Sequence, residues 1–463
     1  MQYDATGLYI IAFVLINTLI GLVYARRVRN SRDFFQAGRR LSLPVNAAAL
    51  FATWFGAETI LGASAVFVES GLPGVIEDPF GAVLCFFLVG RFFAGAFYRS
   101  NCLTINDYMG KRFNESVAVG SALLMIPSYL GWIAAQLLAV GLILQHVLGI
   151  DSTTGLWIAL LVSLSYTGSG GMWSVSITDF MQSFFIIAGL LLMLFYVFPD
   201  WHSIMTALQR LPAGHWRLLP DGNAVAISHY FAAWFTIGLG SIPSQDIFQR
   251  IMAARDEATA RRSAYVSALL YLTVGLLPLL LAAGIRMQSD VSGEDFILQW
   301  LMQQKEQTFL QVLFVGALLS AILSTTSGAI LAPASVLSEN ILRPLFKRHA
   351  KKEGFFLLMS RLSVVLMGLL AAWLGFSGQS IYELVGMSSA FSLVSLFVPL
   401  CFALGKKQLR SSRGAHLSMW TGLLAWAVAS YLESSIAPLM IGLGSSLLAY
   451  FSAVIAERWV SKK

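Results

Sequence analysis

The sequence predicts an all-α polytopic membrane protein with about thirteen transmembrane helices. Of its 463 residues, 57% are hydrophobic and only 12% are charged, and the mean hydropathy is +0.71. A soluble globular protein carries roughly 25% charged residues, and about a dozen apolar stretches here reach the roughly 20 residues that cross a bilayer. These observations exclude a soluble enzyme, a nucleic-acid-binding protein and a secreted disulfide-rich domain.

Polar or basic loops divide the chain into thirteen candidate helices. The first is interpreted as a span and not as a cleavable signal peptide, because its basic residues follow it and it is too long. The run at 116–149 is long enough for a strongly tilted span. The candidates lie at residues 6–25, 44–68, 75–98, 116–149, 155–172, 175–198, 225–244, 264–285, 308–338, 355–377, 380–404, 415–433 and 436–457.

Lys and Arg residues predict the orientation. With the N-terminus outside, twenty-five of these cations fall in cytoplasmic segments and four in outer loops. This asymmetry follows the positive-inside rule. The net charge of +7 is therefore a sign of topology and not of a nucleic-acid partner.

Two candidate helices contain residues that should interrupt a membrane span. Residues 51–59 (FATWFGAET) include a carboxylate, and residues 238–246 (GLGSIPSQD) include glycines and a proline. Paired interrupted helices mark the binding site of many secondary transporters. Two segments of five spans each have opposite orientations and so predict an inverted repeat. The predicted parts are an N-terminal helix and basic loop (1–43), the first repeat (44–198), an extracellular loop (199–224), the second repeat (225–404) and two C-terminal helices (405–463).

Hydroxyl and carboxyl groups within the spans are the candidate ion ligands. Ser324 and Thr325 lie in a hydroxyl-rich run at 321–328, and hard cations prefer oxygen ligands. Such hydroxyls also bond back to carbonyls of their own helix. Glu58 and Asp179 are expensive unless paired and therefore indicate function. The alternatives are a structural hydrogen bond for Glu58 and a helix-terminus acid for Asp179.

Two further pairs of residues differ in interpretation: one is expected to be structural and the other to bind solute. Asp246 and Arg250 are four residues apart, and we expect them to pair on one helix. Trp54 and Trp132 lie well inside predicted spans, where an indole can hold a cation over its face. Trp54 also lies in the interrupted stretch.

Three motifs in this order resemble the sodium:solute symporter family, which includes proline, sugar, sialic acid and choline cotransporters. They are residues 31–39 (SRDFFQAGR), the block at 170–182 and the run at 321–340. The resemblance implies a LeuT-like core of two inverted five-helix repeats with an extra N-terminal helix. It places the sodium ligands on the carbonyls of Ala52, Phe55 and Ala321 and the hydroxyls of Ser324 and Thr325.

The resemblance also implies candidates for a second ion or coupling site, namely Asp179 and Ser327. The next family hydroxyl is replaced here by Gly328, which argues against a second sodium ion.

The sequence around the two interruptions looks closest to the choline branch. Trp54 and Trp132 match two aromatic residues of its cation cage, but Ala82 and Ser244 stand at the other two positions. The predicted solute-binding residues are Trp54, Glu58 and Trp132, with Glu58 suited to an amine.

These observations predict a multi-pass protein of the plasma or inner membrane that is not an enzyme. We expect a sodium-coupled symporter that imports a small polar organic solute by alternating access, an amine such as choline or an amino acid such as proline. Na⁺ is the only expected coupling ion or cofactor, and the oligomeric state is left open. The alternatives are a transporter-like sensor with little flux and a proton-coupled permease.

Overall fold

The computed structural model describes residues 5–220, 222–304, 306–346, 353–377 and 380–460. This part of the chain is α-helical, and its extended pairing is one isolated bridge between Leu41 and Ala254. The main helices are Ala5–Tyr24, Leu43–Trp54, Glu58–Ser70, Leu72–Ser100, Glu115–Leu148, Ser152–Val197, Ala224–Gly238, Gln245–Ala253, Glu257–Gln288, Thr308–Leu345, Glu353–Leu374, Ile381–Leu404, Ser412–Tyr431 and Pro438–Val460. Shorter helices are Ser31–Gln36, Ile105–Arg112, Trp201–Arg210 and Phe296–Gln303.

Nine helices in the described ranges are long and apolar enough to cross a membrane, or ten when one bent pair counts as a single span. Every one of the thirteen predicted segments matches a helix or part of one. The difference in count arises because Ser152–Val197 covers two predicted segments, Ala224–Gly238 is short, and Ser412–Tyr431 is less apolar than the other long helices. The all-α membrane architecture is confirmed, whereas the count of thirteen spans stays a prediction.

The helix Ser152–Val197 is sharply broken at Gly171, whose φ of 50° and ψ of −140° are not helical. Tyr166 donates a hydrogen bond to the Leu323 carbonyl at 2.9 Å. Ser324, which follows Leu323 in the chain, donates to Asp179 at 2.5 Å. Thirteen residues of straight helix would separate Tyr166 from Asp179 by roughly 20 Å. The chain therefore turns at Gly171, so that both of its halves contact the same turn of another helix.

That other helix is Thr308–Leu345, which we call the central helix. In the most apolar stretch of the central helix 78% of the residues are buried, whereas 12% are buried in the most apolar stretch of the N-terminal helix. It packs against both halves of Ser152–Val197 and against Leu43–Trp54 and Glu115–Leu148. Small residues dominate its middle turns, and small residues allow helices in a membrane to approach closely.

The first predicted interruption is confirmed. Leu43–Trp54 and Glu58–Ser70, together the broken helix, are bent by 59°. The second interruption is also confirmed, because Ala224–Gly238 ends before a turn region and a new helix begins at Gln245. Both breaks lie where polar side chains line one cavity.

Candidate functional site

The break in the broken helix frees two backbone carbonyls. Phe55 leaves the helical conformation, with φ −83° and ψ 75°. The Gly56 N–H donates to the Trp54 carbonyl at 3.0 Å, and the Ala57 N–H donates to Gln136 Oε1 at 3.0 Å. A regular helix would direct these two donors to the carbonyls four residues earlier, those of Ala52 and Thr53. In a membrane such carbonyls need other partners.

The Ala52 carbonyl finds its partners on the central helix. Ser324 Oγ lies 3.0 Å from Ala52 O, and Thr325 Oγ1 lies 3.2 Å from it. All three residues are fully buried. We call these three oxygens the ion cluster. The predicted ligands Ala52, Ser324 and Thr325 are thus in contact, although 272 residues separate Ala52 from Ser324 along the chain.

The other two predicted ligands lie beside the ion cluster. Phe55 is the residue at which the helix breaks, and Ala321 stands one turn before Ser324 on the central helix. Both are fully buried. The Phe55 ring packs against the ring of Tyr271, with centroids 5.6 Å apart.

A buried ion pair adjoins the ion cluster. Asp179 Oδ1 accepts from Ser324 Oγ at 2.5 Å, and Asp179 Oδ2 lies 3.5 Å from Arg250 Nη2. Both side chains are at most 1% exposed. Ser327 donates to the Ser324 carbonyl at 2.8 Å, one turn away on its own helix. Asp179 is therefore hydrogen-bonded to Ser324, whereas the Ser327 hydroxyl bonds to the backbone of its own helix.

The prediction that the Asp246 carboxylate pairs with Arg250 is wrong. Arg250 reaches Asp179 instead, and it also donates to the main-chain carbonyls of Ala49 at 3.1 Å and Asp246 at 3.2 Å. A Cβ at Gly328 would lie 2.6 Å from Arg250 Nη2, so only glycine leaves room for the guanidinium there. Arg250 was counted with the cytoplasmic loops, but it is fully buried.

A cavity with an empty volume of about 560 Å³ opens next to the break. The three predicted solute-binding residues, Trp54, Glu58 and Trp132, all line it. Ala82 and Ser244, at the two substituted cage positions, line it as well. Other lining residues are Asp78, Met125, Ser128, Tyr129, Ile237, Gly240, Ser241, Asp246, Tyr271, Val385, Ser388, Ser389 and Ser392.

Neutral groups hold two of the carboxylates that line the cavity. Glu58 accepts from the Trp132 indole N–H at 3.0 Å and from Gln136 Nε2 at 2.7 Å. Asp246 accepts from the Trp54 indole N–H at 2.7 Å and from the Tyr129 hydroxyl at 2.5 Å. Indoles, amides and hydroxyls orient a carboxylate but do not cancel its charge.

In the third carboxylate, that of Asp78, only one of the two oxygens accepts a hydrogen bond from a described residue. Asp78 Oδ2 accepts from Thr59 Oγ1 at 2.5 Å, whereas Asp78 Oδ1 has no hydrogen-bond partner among the described residues. The Asp78 side chain is 1% exposed. A buried carboxylate oxygen without a donor is costly, and this one belongs to a residue that lines the cavity.

Sequence reasoning missed Asp78, Tyr129 and Tyr271 as cavity residues and assigned Asp246 to a different partner. Signals for the two acids were present, since Asp78 follows Glu77 at the start of a predicted span and Asp246 ends the second interrupted stretch. An acidic residue at such a place indicates function by default. For the tyrosines, no signal separated cavity residues from interfacial aromatic residues.

Comparisons with known proteins identify the family of the chain. The model of the sodium:solute symporter family matches residues 34–422. The high-affinity choline transporter 1 of Drosophila melanogaster is 26% identical over 454 residues, which cover 94% of this chain and 71% of that protein. The high-affinity proline transporter PutP of Bacillus subtilis (strain 168) is 26% identical over 466 residues, and 94% of each chain is covered.

Solved structures show the same fold. A Na⁺-coupled sialic acid symporter in a substrate-bound outward-open state superposes with a TM-score of 0.84 at 17% identity, covering 97% of both chains. Mhp1, a nucleobase-cation-symport-1 family transporter, gives a TM-score of 0.53 at 16% identity and covers 92% of this chain and 94% of its own. With the family model spanning most of its length, the chain belongs to the sodium:solute symporter family and has a LeuT-like fold.

Proposed function

We propose that the protein is a sodium-coupled symporter that imports a small, positively charged organic solute by alternating access. The observation that carries the proposal is the ion cluster, in which a carbonyl freed by the break meets two hydroxyls of the central helix. Membership of the sodium:solute symporter family supports sodium as the coupling ion.

The spacing of the ion cluster suits a small cation. Its oxygens lie 3.0 and 3.2 Å from the Ala52 oxygen. Neighbouring oxygens that each lie roughly 2.4 Å from one hard cation are about 3.4 Å apart, so little movement is needed. The carbonyls of Phe55 and Ala321 are the further ligands in this proposal. Sodium bound there would hold the broken helix against the central helix and thereby link the two predicted repeats.

We assign one sodium ion to each transport cycle. Asp179 and Ser327 are the candidates for a second ion site, but the Arg250 guanidinium lies 3.5 Å from Asp179. It also fills the space beside Gly328. A tethered positive charge in this position would compete with a second sodium ion through repulsion.

The cavity favours a positively charged solute. Among the described residues that line it, none is Lys, Arg or His, whereas Glu58, Asp78 and Asp246 are acidic. A choline-like solute would meet Trp54 and Trp132, whose faces can hold a cation. The carboxylate of an amino acid such as proline would face like charges, which weakens that alternative.

The broken helix couples the two sites. Ala52 belongs to the ion cluster, while Trp54 and Glu58 line the cavity on the same short segment. Gln136 holds the segment between them, because it accepts from Ala57 N–H and donates to Glu58. One charge moving through ~100 mV supplies about 2.3 kcal/mol, and a tenfold sodium gradient adds roughly 1.4 kcal/mol. On the order of 500-fold accumulation of an uncharged solute would follow, and more for a cation.

Uptake into proteoliposomes with and without a sodium gradient tests the proposal. The full chain should accumulate a small organic cation, identified by a thermal-shift screen of amines, amino acids and sugars, only when sodium is present. The double variant Ser324→Ala/Thr325→Ala should lose sodium-dependent uptake. Thr326→Ala is the matched control, because its hydroxyl bonds to the Ile322 carbonyl of its own helix at 2.6 Å.

Each other outcome points to a different function. Unchanged sodium dependence in the double variant, in protein that remains folded, would contradict the ion site. Solute binding without counterflow would indicate a sensor. Uptake in sodium-free buffer under a pH gradient would indicate a proton-coupled permease.

A further inference from the structure

We propose that the solute is a linear α,ω-diamine, a dication with an ammonium group at each end of a short alkyl chain. This inference rests on the proposed function and specifies its solute. It comes from the placement of acidic side chains in the cavity and in a smaller cavity beside it.

The smaller cavity extends the main one and forms an acidic end. Glu58 and Asp78 line both cavities, and Glu77 lines the smaller one, which is a narrow crevice. Ile237 and Val385 also line both, so the two spaces adjoin along an apolar wall.

Asp78 supplies the strongest evidence that an N–H donor belongs at this end. Its Oδ1 atom is buried and lacks a hydrogen-bond partner among the described residues. A primary ammonium has three N–H donors. It can therefore satisfy Oδ1 and contact Glu58 at the same time, whereas a quaternary ammonium has no N–H to donate.

Asp246 forms the second acidic end. It is fully buried, and its carboxylate oxygens accept from Trp54 and Tyr129. Each carboxylate oxygen can accept a further bond, so Asp246 retains capacity for a second ammonium group. The rings of Tyr129 and Trp132 have centroids 6.0 Å apart. They connect the Asp246 end to the Glu58 end with apolar surface, against which methylene groups would pack.

The acidic groups of the cavity do not form a metal site. No three His, Cys, Asp or Glu side chains in the described ranges lie close enough to hold one. A solute with an ammonium group at each end would contact both acidic ends, because Asp246 accepts from Tyr129 whereas Glu58 accepts from Trp132. Both amines of a diamine are protonated near neutral pH, because alkylammonium groups such as that of Lys have pKa values near 10.

The test compares solutes that differ in one ammonium group. Full-length protein in lipid nanodiscs with saturating sodium is titrated with 1,4-diaminobutane, 1-aminobutane, choline and proline. We expect 1,4-diaminobutane to bind at least tenfold more tightly than 1-aminobutane. We also expect proteoliposomes to take it up in a sodium-dependent manner.

Variants at either acidic end should remove this preference. Asp78→Asn and Asp246→Asn should each lower the diamine-to-monoamine affinity ratio at least fivefold, while Asp78→Glu restores part of it. Glu383→Gln is the matched control, because it removes an exposed carboxylate from a helix that lines the cavity. Sodium-induced thermal stabilisation shows that each variant is folded.

Each outcome decides one of the two proposals. Equal binding of diamine and monoamine by the unmodified protein, or no binding of either, overturns the diamine proposal even when another solute shows sodium-dependent uptake. Diamine binding and uptake that proceed equally well without sodium overturn the symporter proposal and leave the diamine assignment standing. An unchanged affinity ratio in both Asn variants shows that the two acidic ends do not bind the solute.

Discussion

Two groups of buried carboxylates in this membrane protein have opposite environments. Asp179, beside the ion cluster, lies 3.5 Å from the buried Arg250 guanidinium. Glu58, Asp78 and Asp246, in the cavity, contact neutral donors. Asp179 therefore has an ion-pair partner, whereas no side-chain ion pair joins Glu58, Asp78 or Asp246 to another described residue. A buried charge needs a partner, so the missing partner in the cavity is expected to come from the solute.

The comparison separates structure from function among residues of the same type. Deleting one member of a buried ion pair leaves the other charge uncompensated. Deleting a carboxylate that awaits a ligand removes an unfavourable group from the solute-free protein. Four substitutions test this distinction, and they are given in order of decreasing effect.

Arg250→Gln should cause the largest loss of stability. It leaves Asp179 without its counter-charge, at a cost of about 3–5 kcal/mol in the free energy of unfolding. Thermal unfolding of the purified protein measures this loss. The double variant Arg250→Gln/Asp179→Asn should recover much of it, because no unpaired charge remains. A single variant as stable as the unmodified protein would refute the ion-pair assignment.

Gln136→Leu should weaken both binding sites together. It removes the acceptor of the Ala57 N–H and a donor to Glu58, and each unsatisfied group costs about 1–3 kcal/mol. We expect the apparent constants for sodium and for solute both to rise about tenfold or more in uptake assays. An effect on only one of the two constants would show that Gln136 does not couple the sites.

Trp54→Phe should affect the solute alone. The change deletes the indole N–H that donates to Asp246 at 2.7 Å but keeps an aromatic ring. Loss of a hydrogen bond to a charged group is worth about 1.5 kcal/mol or slightly more, so solute affinity should fall roughly tenfold. The sodium constant should change less than twofold, and an equal change in both would place Trp54 in the ion site.

Asp246→Asn should have the smallest effect on the solute-free protein. The amide removes an uncompensated charge and still accepts through its oxygen, so the free energy of unfolding should change by less than about 1 kcal/mol. The same measurement on Arg250→Gln provides the contrast. A loss as large as that of Arg250→Gln would mean that Asp246 is structural, and the distinction between the two groups would fail.

The sequence predicted those parts of the site that depend on local chemistry. Ser324 and Thr325 were identifiable as a hydroxyl pair, and the polar run around Glu58 predicted a broken helix. Trp54, Glu58 and Trp132 were each expected in the cavity, and they line it together. Residue type and mid-membrane position were sufficient there, because polar groups in a membrane are expensive.

Contacts between distant helices could not be predicted in the same way. Arg250 was assigned to Asp246 because the two are four residues apart, but tertiary packing directs it to Asp179, 71 positions away. The open oxygen of Asp78 depends on how Thr59 and the surrounding helices pack. The count of spans likewise depends on tertiary structure, because a helix that is broken within its length, as at Gly171, can supply two spans and not one.

Binding of radioactive sodium to the purified full-length protein tests directly whether the ion cluster binds sodium. We expect one sodium ion per chain at saturation, and loss of this binding in Ser324→Ala/Thr325→Ala but not in Thr326→Ala. Binding that is unchanged in the double variant would contradict the assignment of sodium to the ion cluster. Two sodium ions per chain would contradict the assignment of one ion to each cycle beside the Asp179–Arg250 pair.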